Sequence, residues 1–238
     1  MKRRTFLAVL AGGLGLPVAG IGVARTLTDE ETSSLPARPL RVPDGRVIRT
    51  AFMIGPTVNV IDTAGPWEVF QDAGAGTGGS SPFELYTVAE TMQPVEATAG
   101  LTLVPDYASD DAPQPHVIVV PAHQTSEATR AWLRRAAAKA DVVMSVCTGA
   151  FILGGEGLLD DRKATTHHDF MSEFESSFPR VELVRGERFV EDDLIATAAG
   201  LTSGIDLALR VVERYLGRSA AEGTARYMEH ESPRWRTA

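Results

Sequence analysis

The sequence predicts an α/β fold in which a mostly parallel sheet is covered by helices. Short apolar runs rich in β-branched residues recur along the chain, and segments with helical patterning separate them. Runs this apolar suit strands that are buried on both faces, as parallel strands joined by helices are. Ligands bind beyond the carboxyl ends of the strands in such sheets, so we expect functional residues to follow strands.

The elements follow one another in regular alternation. Strands are predicted at 47–54, 83–89, 117–120, 142–146 and 194–198. Helices are predicted at 66–72, 126–140, 148–155, 168–178 and 202–216. The glycine-rich piece 73–81 lacks the glycine spacing of a phosphate-binding loop, so it is predicted to be a connection.

Composition narrows the class of protein. The 238 residues are 44% hydrophobic and 23% charged, as in a globular protein, and they are enough for one domain with its own core. A formal net charge of -8 argues against nucleic acid and anionic lipid as partners. The single cysteine, Cys147, excludes an intrachain disulfide and a zinc site built from thiolates.

The amino terminus is predicted to direct export. Arg3 and Arg4 are followed by a polar residue, a phenylalanine and a leucine, and then by an uncharged, glycine-rich stretch. Residues 1–24 are therefore interpreted as a twin-arginine signal, 25–46 as a linker and 47–238 as the domain. The expected location is periplasmic or extracellular, without stable membrane association once the signal is cleaved. An uncleaved membrane anchor is the alternative.

Cys147 is the candidate nucleophile. It stands where an apolar strand ends and a helix begins, and Ser145, Gly149 and Ala150 are small enough for a sharp turn. This pattern is typical of a nucleophile elbow. The N–H groups of Thr148 and Gly149 would lie at a helix N-terminus and lower the pKa of the thiol. The alternative is a buried cysteine that only packs.

Two carboxylates are candidates for proton transfer. Asp62 follows the first strand and precedes a helix, so it is expected at the ligand-binding edge of the sheet. Its alternative role is a helix N-cap or turn residue. Glu68, one turn further on and within that predicted helix, is the second acid that could reach the site. The alternative is that its carboxylate is solvated on an exposed face of the helix.

Two histidines follow strand-like runs and are candidates for the pocket. His167 follows 164–166 and His123 follows 117–120. The alternative role for each is that of a surface or hydrogen-bonded structural histidine. His168 is adjacent to His167, and neighbours on a strand face opposite ways, so no metal site is predicted.

Four sequence blocks resemble the PfpI/ThiJ superfamily of glutamine amidotransferase-like proteins. They run Asp-Thr-Ala-Gly-Pro-Trp-Glu-Val-Phe at 62–70, Ser-Val-Cys-Thr-Gly-Ala-Phe at 145–151 with its continuation at 157–160, Ala-Thr-Thr-His at 164–167, and 197–206. Their order and spacing fit the branch that contains isonitrile hydratase and the ligand domains of AraC-type regulators. The resemblance covers 47–229.

The resemblance implies a flavodoxin-like three-layer sandwich, a homodimer and a small-molecule substrate. It implies that Cys147, Asp62 and Thr148 are the catalytic residues. Where the family usually has two glycines whose amides line the pocket, this sequence has Ala122 and His123, so both are candidate pocket residues together with Gly149, His167 and Glu68. We expect no cofactor. The His-x-Glu pair of the amidotransferases does not occur in the sequence, which disfavours glutamine hydrolysis.

Two classes of function follow. The first is a cysteine-dependent lyase resembling isonitrile hydratase, with Cys147 as nucleophile and Asp62 as general acid and base. The second is a non-enzymatic ligand-binding or thiol-redox protein of the same fold, and glyoxalase-like, deglycase-like or peptidase-like chemistry is a further alternative. The related regulators continue into a helix-turn-helix domain, and this sequence ends soon after Glu229, so a direct role in transcription is not expected.

Overall fold

A computed structural model describes residues 38–44, 47–74 and 81–236. The predicted export signal lies outside the described residues, as does most of the predicted linker. The described strands, in chain order, are β1 (Ile48–Met53), β2 (Phe83–Ala89), β3 (Val95–Glu96), β4 (Thr102–Leu103), β5 (Tyr107–Ala108), β6 (Val117–Val120), β7 (Val142–Val146), β8 (Lys163–Ala164), β9 (Glu182–Leu183), β10 (Phe189–Asp192) and β11 (Ile195–Ala198).

Seven of these strands form the main sheet, in the order β10-β11-β7-β6-β1-β2-β5. Every neighbouring pair is parallel except β10 and β11, which are antiparallel. The pairs β3–β4 and β8–β9 form two small separate sheets. The mostly parallel sheet confirms the predicted fold class.

The α-helices are α1 (Val60–Gln71), α2 (Glu127–Ala137), α3 (Gly149–Gly155), α4 (Met171–Ser177), α5 (Ser203–Leu216) and α6 (Arg218–Tyr227). Short 3₁₀ helices lie at Thr98–Gly100 and His168–Phe170. In the part of the chain that the structure describes, no helix is both long and apolar enough to cross a bilayer.

The core has two layers, one on each face of the sheet. Alternate strand residues such as Phe52 and Met144 pack with buried residues of α1, α5 and α6. Their neighbours Met53 and Val143 pack with residues of α2, α3 and α4. Both faces of the central strands are therefore covered, which explains why these strands read as continuous apolar runs and gives the three-layer sandwich.

Helix α1 differs most from its prediction, because it begins at Val60 and not at 66. The side chain of Asn59 accepts a hydrogen bond from the Ile61 N–H at 3.2 Å and caps the helix. Pro66, predicted near the first turn, lies inside the helix. The longer helix places Asp62 in its first turn and not in the preceding connection.

The carboxyl side of the chain contains elements that were not predicted. Strand β10 pairs antiparallel with β11 at one edge of the sheet, and α6 packs on α5. Upstream, two residues of the predicted linker also reach the core: Leu40 donates its N–H to the Arg214 carbonyl at 2.7 Å, and Val42 packs beside it.

Candidate active site

Cys147 lies at a sharp turn between β7 and α3. Its φ is +59°, in the left-handed region that a residue with a side chain adopts at a cost of about 1–3 kcal/mol. Its N–H is shared between the carbonyls of Ala198 at 3.2 Å and Ala199 at 2.9 Å, at the end of the neighbouring strand β11. The turn therefore has the strained backbone expected of a nucleophile elbow.

The small residues around Cys147 are required by close backbone contacts. A Cβ added at Gly149 would overlap the Val120 carbonyl oxygen and lie 3.1 Å from the Pro121 carbonyl carbon. A Cβ at Gly204 would lie 2.9 Å from a methyl group of Val146. Gly149 thus lets α3 start directly against the end of β6.

The thiol of Cys147 has a raised pKa. The residue is 6% exposed, and burial raises the pKa of the thiol to about 11, with the negative charge of Asp62 as the second cause. Hydrogen bonds from the N–H groups of Thr148 and Leu201 and from the Thr148 hydroxyl oppose this rise. The prediction of a lowered thiol pKa is therefore wrong, because burial and a neighbouring carboxylate outweigh the donors at the helix start.

Asp62 is fully buried at the same edge of the sheet. Its Oδ2 accepts a hydrogen bond from the Ala122 N–H at 3.3 Å, and its Oδ1 is buried without a hydrogen-bond partner among the described residues. Burial raises the pKa of the carboxyl to about 7, and the bond from Ala122 lowers it only in part. Asn59 is the helix cap, so the capping alternative for Asp62 is wrong.

Ala122 and His123 have different roles. Ala122 accepts a hydrogen bond from the Asn59 N–H at 2.9 Å and donates its own N–H to Asp62, so it supports the acid. His123 Nδ1 lies 2.8 Å from the Pro121 carbonyl oxygen and donates to it, which leaves Nε2 as an acceptor. Burial lowers the pKa of His123 to about 4, and its buried Nε2 has no hydrogen-bond partner in the described ranges.

His167 is brought to the loop that surrounds Cys147. Its ring lies against Gly200, where an added Cβ would be 2.9 Å from Nε2. The preceding residue, Thr166, donates its hydroxyl hydrogen to the Cys147 carbonyl at 3.0 Å. His167 therefore lies next to residues that contact Cys147, and its role in the pocket stays a prediction.

The two adjacent histidines do not face opposite ways. The rings of His167 and His168 stack with centroids 4.4 Å apart, because a 3₁₀ helix and not a strand begins at His168. With Asp169 they bring three potential metal ligands within 4.8 Å of one another. His167 Nδ1 already accepts the Asp169 N–H at 3.2 Å, and His168 and Asp169 are exposed, so the turn accounts for this cluster and we assign it no metal.

Glu68 is not part of the site. It is exposed, and its carboxylate accepts a hydrogen bond from Gln71 at 3.2 Å on the outer surface of α1. It lies six positions after Asp62 along α1, which places it about 240° around the helix from Asp62. The prediction that Glu68 lines the pocket is wrong for this reason.

The site is assembled from residues that follow four neighbouring strands. Asp62 follows β1, Ala122 follows β6, Cys147 follows β7 and Leu201 follows β11. Leu201 could not be predicted from its residue type, because a backbone N–H has no residue-type signature. Only its place in the block 197–206 could have indicated it.

Comparisons with known proteins agree with this architecture. The profile of the DJ-1/PfpI family matches residues 48–214. Isonitrile hydratase from Pseudomonas putida is 31% identical over 185 residues, which are 74% of this chain and 75% of that protein. The HTH-type transcriptional regulator CdhR from Pseudomonas aeruginosa is 29% identical over 133 residues, which are 54% of this chain and 39% of the regulator.

A solved structure has the same fold. The crystal structure of a THiJ/PfpI family protein from Pseudomonas syringae matches with a TM-score of 0.69 and 25% identity, over 89% of this chain and 84% of that chain. Together with the family profile, this likeness confirms the resemblance of the sequence blocks. The chain belongs to the DJ-1/PfpI family.

Proposed function

We propose that this protein is a cysteine-dependent enzyme that hydrates a small isonitrile to an N-substituted formamide. The observation that carries the proposal is the pairing of the Cys147 thiol with a buried Asp62 whose pKa is raised to about 7 and whose Oδ1 has no hydrogen-bond partner among the described residues. Such a carboxyl can both give and take a proton near neutral pH. The likeness to isonitrile hydratase supports the substrate class.

In the first step, the hydrogen and the sulfur of the thiol both add to the terminal carbon of R–N≡C. Between the two pKa values, about 7 and about 11, the pair of Asp62 and Cys147 holds one proton. Asp62 takes this proton from the thiol and delivers it to the terminal carbon, while a sulfur electron pair forms the C–S bond to the same carbon. The product is the thioimidate R–N=CH–S, and Asp62 is left as a carboxylate.

The second step hydrolyses the thioimidate. Asp62 accepts a proton from water as the water oxygen bonds to carbon and the C=N π electrons move to nitrogen. The hydroxyl group on the carbon then loses its proton, its electron pair forms the C=O bond, and the C–S bond breaks so that the sulfur leaves with the electron pair. One water proton ends on nitrogen and the other on sulfur, so R–NH–CHO and the free thiol result. The donors from Thr148 and Leu201 to the sulfur stabilise the departing thiolate.

Apolar side chains border the site. Ile61 precedes Asp62 and is 36% exposed, and Leu201 is 40% exposed. Phe170, also 40% exposed, meets the His167 ring edge-on with centroids 5.7 Å apart. These surfaces favour an isonitrile whose substituent is apolar, because its contact with them removes apolar area from water.

The proposal is tested by incubating the protein with an aliphatic isonitrile and measuring the formamide by mass spectrometry. We expect turnover by the wild type, none by Cys147→Ser, and a loss of about a hundredfold or more for Asp62→Asn. Glu68→Gln is the matched control, because it makes the same acid-to-amide change on the same helix but on the outer surface. Equal turnover by Asp62→Asn and Glu68→Gln would reject the assignment of Asp62.

A ligand-binding role without catalysis is the second candidate. The 29% identity to a transcriptional regulator favours it, because that relative is not named as an enzyme. The raised pKa of the Cys147 thiol disfavours the thiol-redox form of this alternative, since redox-sensing cysteines need thiolate character. Calorimetric binding of an isonitrile with no formamide produced would support ligand binding over hydration.

A further inference from the structure

A buried ionic cluster lies behind the site, around Asp206 in the first turn of α5. Asp206 is fully buried, and both of its oxygens have partners: Oδ2 accepts from Arg188 Nε at 2.5 Å, and Oδ1 lies 2.9 Å from His230 Nε2. A buried carboxylate is tolerated when it is paired in this way. The cluster joins α5 to the segment before β10 and to the segment after α6, and the proposed chemistry does not use it.

Arg188 connects this cluster to the loop at 199–202. Its guanidinium donates to the Thr202 hydroxyl oxygen at 3.3 and 3.4 Å, in addition to its bond with Asp206. Its backbone carbonyl accepts the Ala199 N–H at 2.9 Å. One residue therefore holds both ends of the loop.

The loop itself contacts the nucleophile. The Ala199 carbonyl accepts the Cys147 N–H at 2.9 Å, and the Leu201 N–H acts to lower the pKa of the Cys147 thiol. Leu201 has a φ of +52°, a strained conformation for a residue with a side chain that persists only where its surroundings hold it. The contacts of Arg188 with Ala199 and Thr202 hold the two ends of the loop and so stabilise this conformation of Leu201.

We propose that Asp206, Arg188 and His230 form a clasp that positions the loop 199–202 against the backbone turn at Cys147. Asp206 and His230 orient the guanidinium of Arg188, and Arg188 holds the loop. These three are positioning residues, because none of them touches the reacting atoms. The effect on turnover rests on the proposed function, whereas the effect on the loop does not.

Two substitutions separate this role from ordinary stabilisation by a buried ion pair. Thr202→Val keeps the shape of the side chain and leaves Asp206 paired, but it removes the acceptor that Arg188 uses on the loop. Arg188→Lys keeps a cation for Asp206 but cannot reach both Asp206 and Thr202, because an ammonium lacks the fork of the guanidinium. If the cluster served only to neutralise Asp206, both variants would behave as the wild type.

The matched control is Arg210→Gln. Arg210 is a buried arginine on α5 that bonds to Glu191 at 2.8 Å and to Glu213 at 3.0 Å. Glu191 keeps its bond to Arg214, and Glu213 keeps its ion pair with Arg218, so this variant also leaves its acids paired. No hydrogen bond or ion pair that the structure describes joins Arg210 to the loop 199–202.

The experiment measures amide hydrogen exchange of Ala199 and Leu201 by NMR, followed by turnover of an aliphatic isonitrile. We expect Thr202→Val and Arg188→Lys to speed exchange of both amides about tenfold and to lower kcat about tenfold with KM within twofold, while Arg210→Gln changes neither. Exchange at wild-type rates in Thr202→Val and Arg188→Lys would overturn the clasp. If the wild type has no turnover, the proposed function fails, and the exchange rates still decide whether the clasp exists.

Discussion

The carboxyl of Asp62 and the thiol of Cys147 form one electrostatic pair. After burial, the charge of Asp62 is the largest cause that raises the pKa of the thiol to about 11. Burial in turn raises the pKa of Asp62 to about 7. Burial makes the charged form of each group unfavourable. The pair therefore retains a proton at neutral pH, and the proposed reaction uses this proton.

The first prediction concerns the thiol when Asp62 loses its charge. Asp62→Asn removes the repulsion between carboxylate and thiolate and keeps an acceptor for the Ala122 N–H, so the pKa of Cys147 should fall. We expect faster alkylation by iodoacetamide at pH 8 together with loss of turnover. Slower alkylation would mean that Asp62 activates the thiol at rest and does not repel the thiolate.

The second prediction is a stability difference that depends on pH. The folded-state pKa of Asp62 is about 7, above its ordinary value of 3.8, so its contribution to stability is fully present below about pH 4 and is lost as the pH rises to about 7. Asp62→Asn should therefore gain stability relative to the wild type across this window, by up to about 4 kcal/mol at pH 8. Urea unfolding at pH 4 and pH 8 measures the difference in the free energy of unfolding between the two proteins. The same difference at both pH values would contradict a raised pKa for Asp62.

The third prediction tests the close packing at the elbow. Gly149→Ala would press a Cβ onto backbone atoms of Val120 and Pro121, and it should destabilise the fold by about 1–3 kcal/mol. Gly155→Ala is the matched control on the same helix, since nothing lies within 4 Å of its added Cβ, and it should be neutral or stabilising by about 0.5 kcal/mol. Urea unfolding of both variants should separate them, and equal stabilities would show that the turn has room to relax.

The fourth prediction concerns export, which depends on residues outside the described part of the chain. Replacing Arg3 and Arg4 by lysine should trap the precursor in the cytoplasm if the twin-arginine route is used. Lys2→Arg is the control, because it keeps the charge and leaves the arginine pair intact. Immunoblots of cell fractions provide the measurement, and normal export of the double variant would indicate the general secretory route.

The fold could be predicted well because its strands are buried on both faces. The limits of β2, β6 and β7 match the predicted 83–89, 117–120 and 142–146, since apolar runs mark such strands directly. Helix α1 was predicted too short because a proline was taken to lie near its first turn, whereas the cap is Asn59. Strand β10 was missed because it contains two acids and lies at the sheet edge.

From the sequence, the turn at Cys147 and the place of Asp62 at the sheet edge could be predicted, whereas the exposed position of Glu68 and the electrostatics could not. The small residues around Cys147 marked the turn, and the position of Asp62 after β1 marked the edge of the sheet. The pKa of the thiol depends on burial and on a charge from a distant segment, so no local pattern could give it. The Leu201 N–H and the Arg188 contacts are likewise set by the tertiary fold.

The proposed reaction requires that Cys147 form a covalent bond to the substrate carbon. Rapid acid quench of the wild type with an aliphatic isonitrile, followed by mass spectrometry of the peptide that contains Cys147, tests it most directly. We predict that this peptide gains the mass of one isonitrile within a single turnover and loses it as formamide forms. Formamide produced with no such adduct, and at an unchanged rate by Cys147→Ser, would contradict the account, as would the absence of both adduct and formamide.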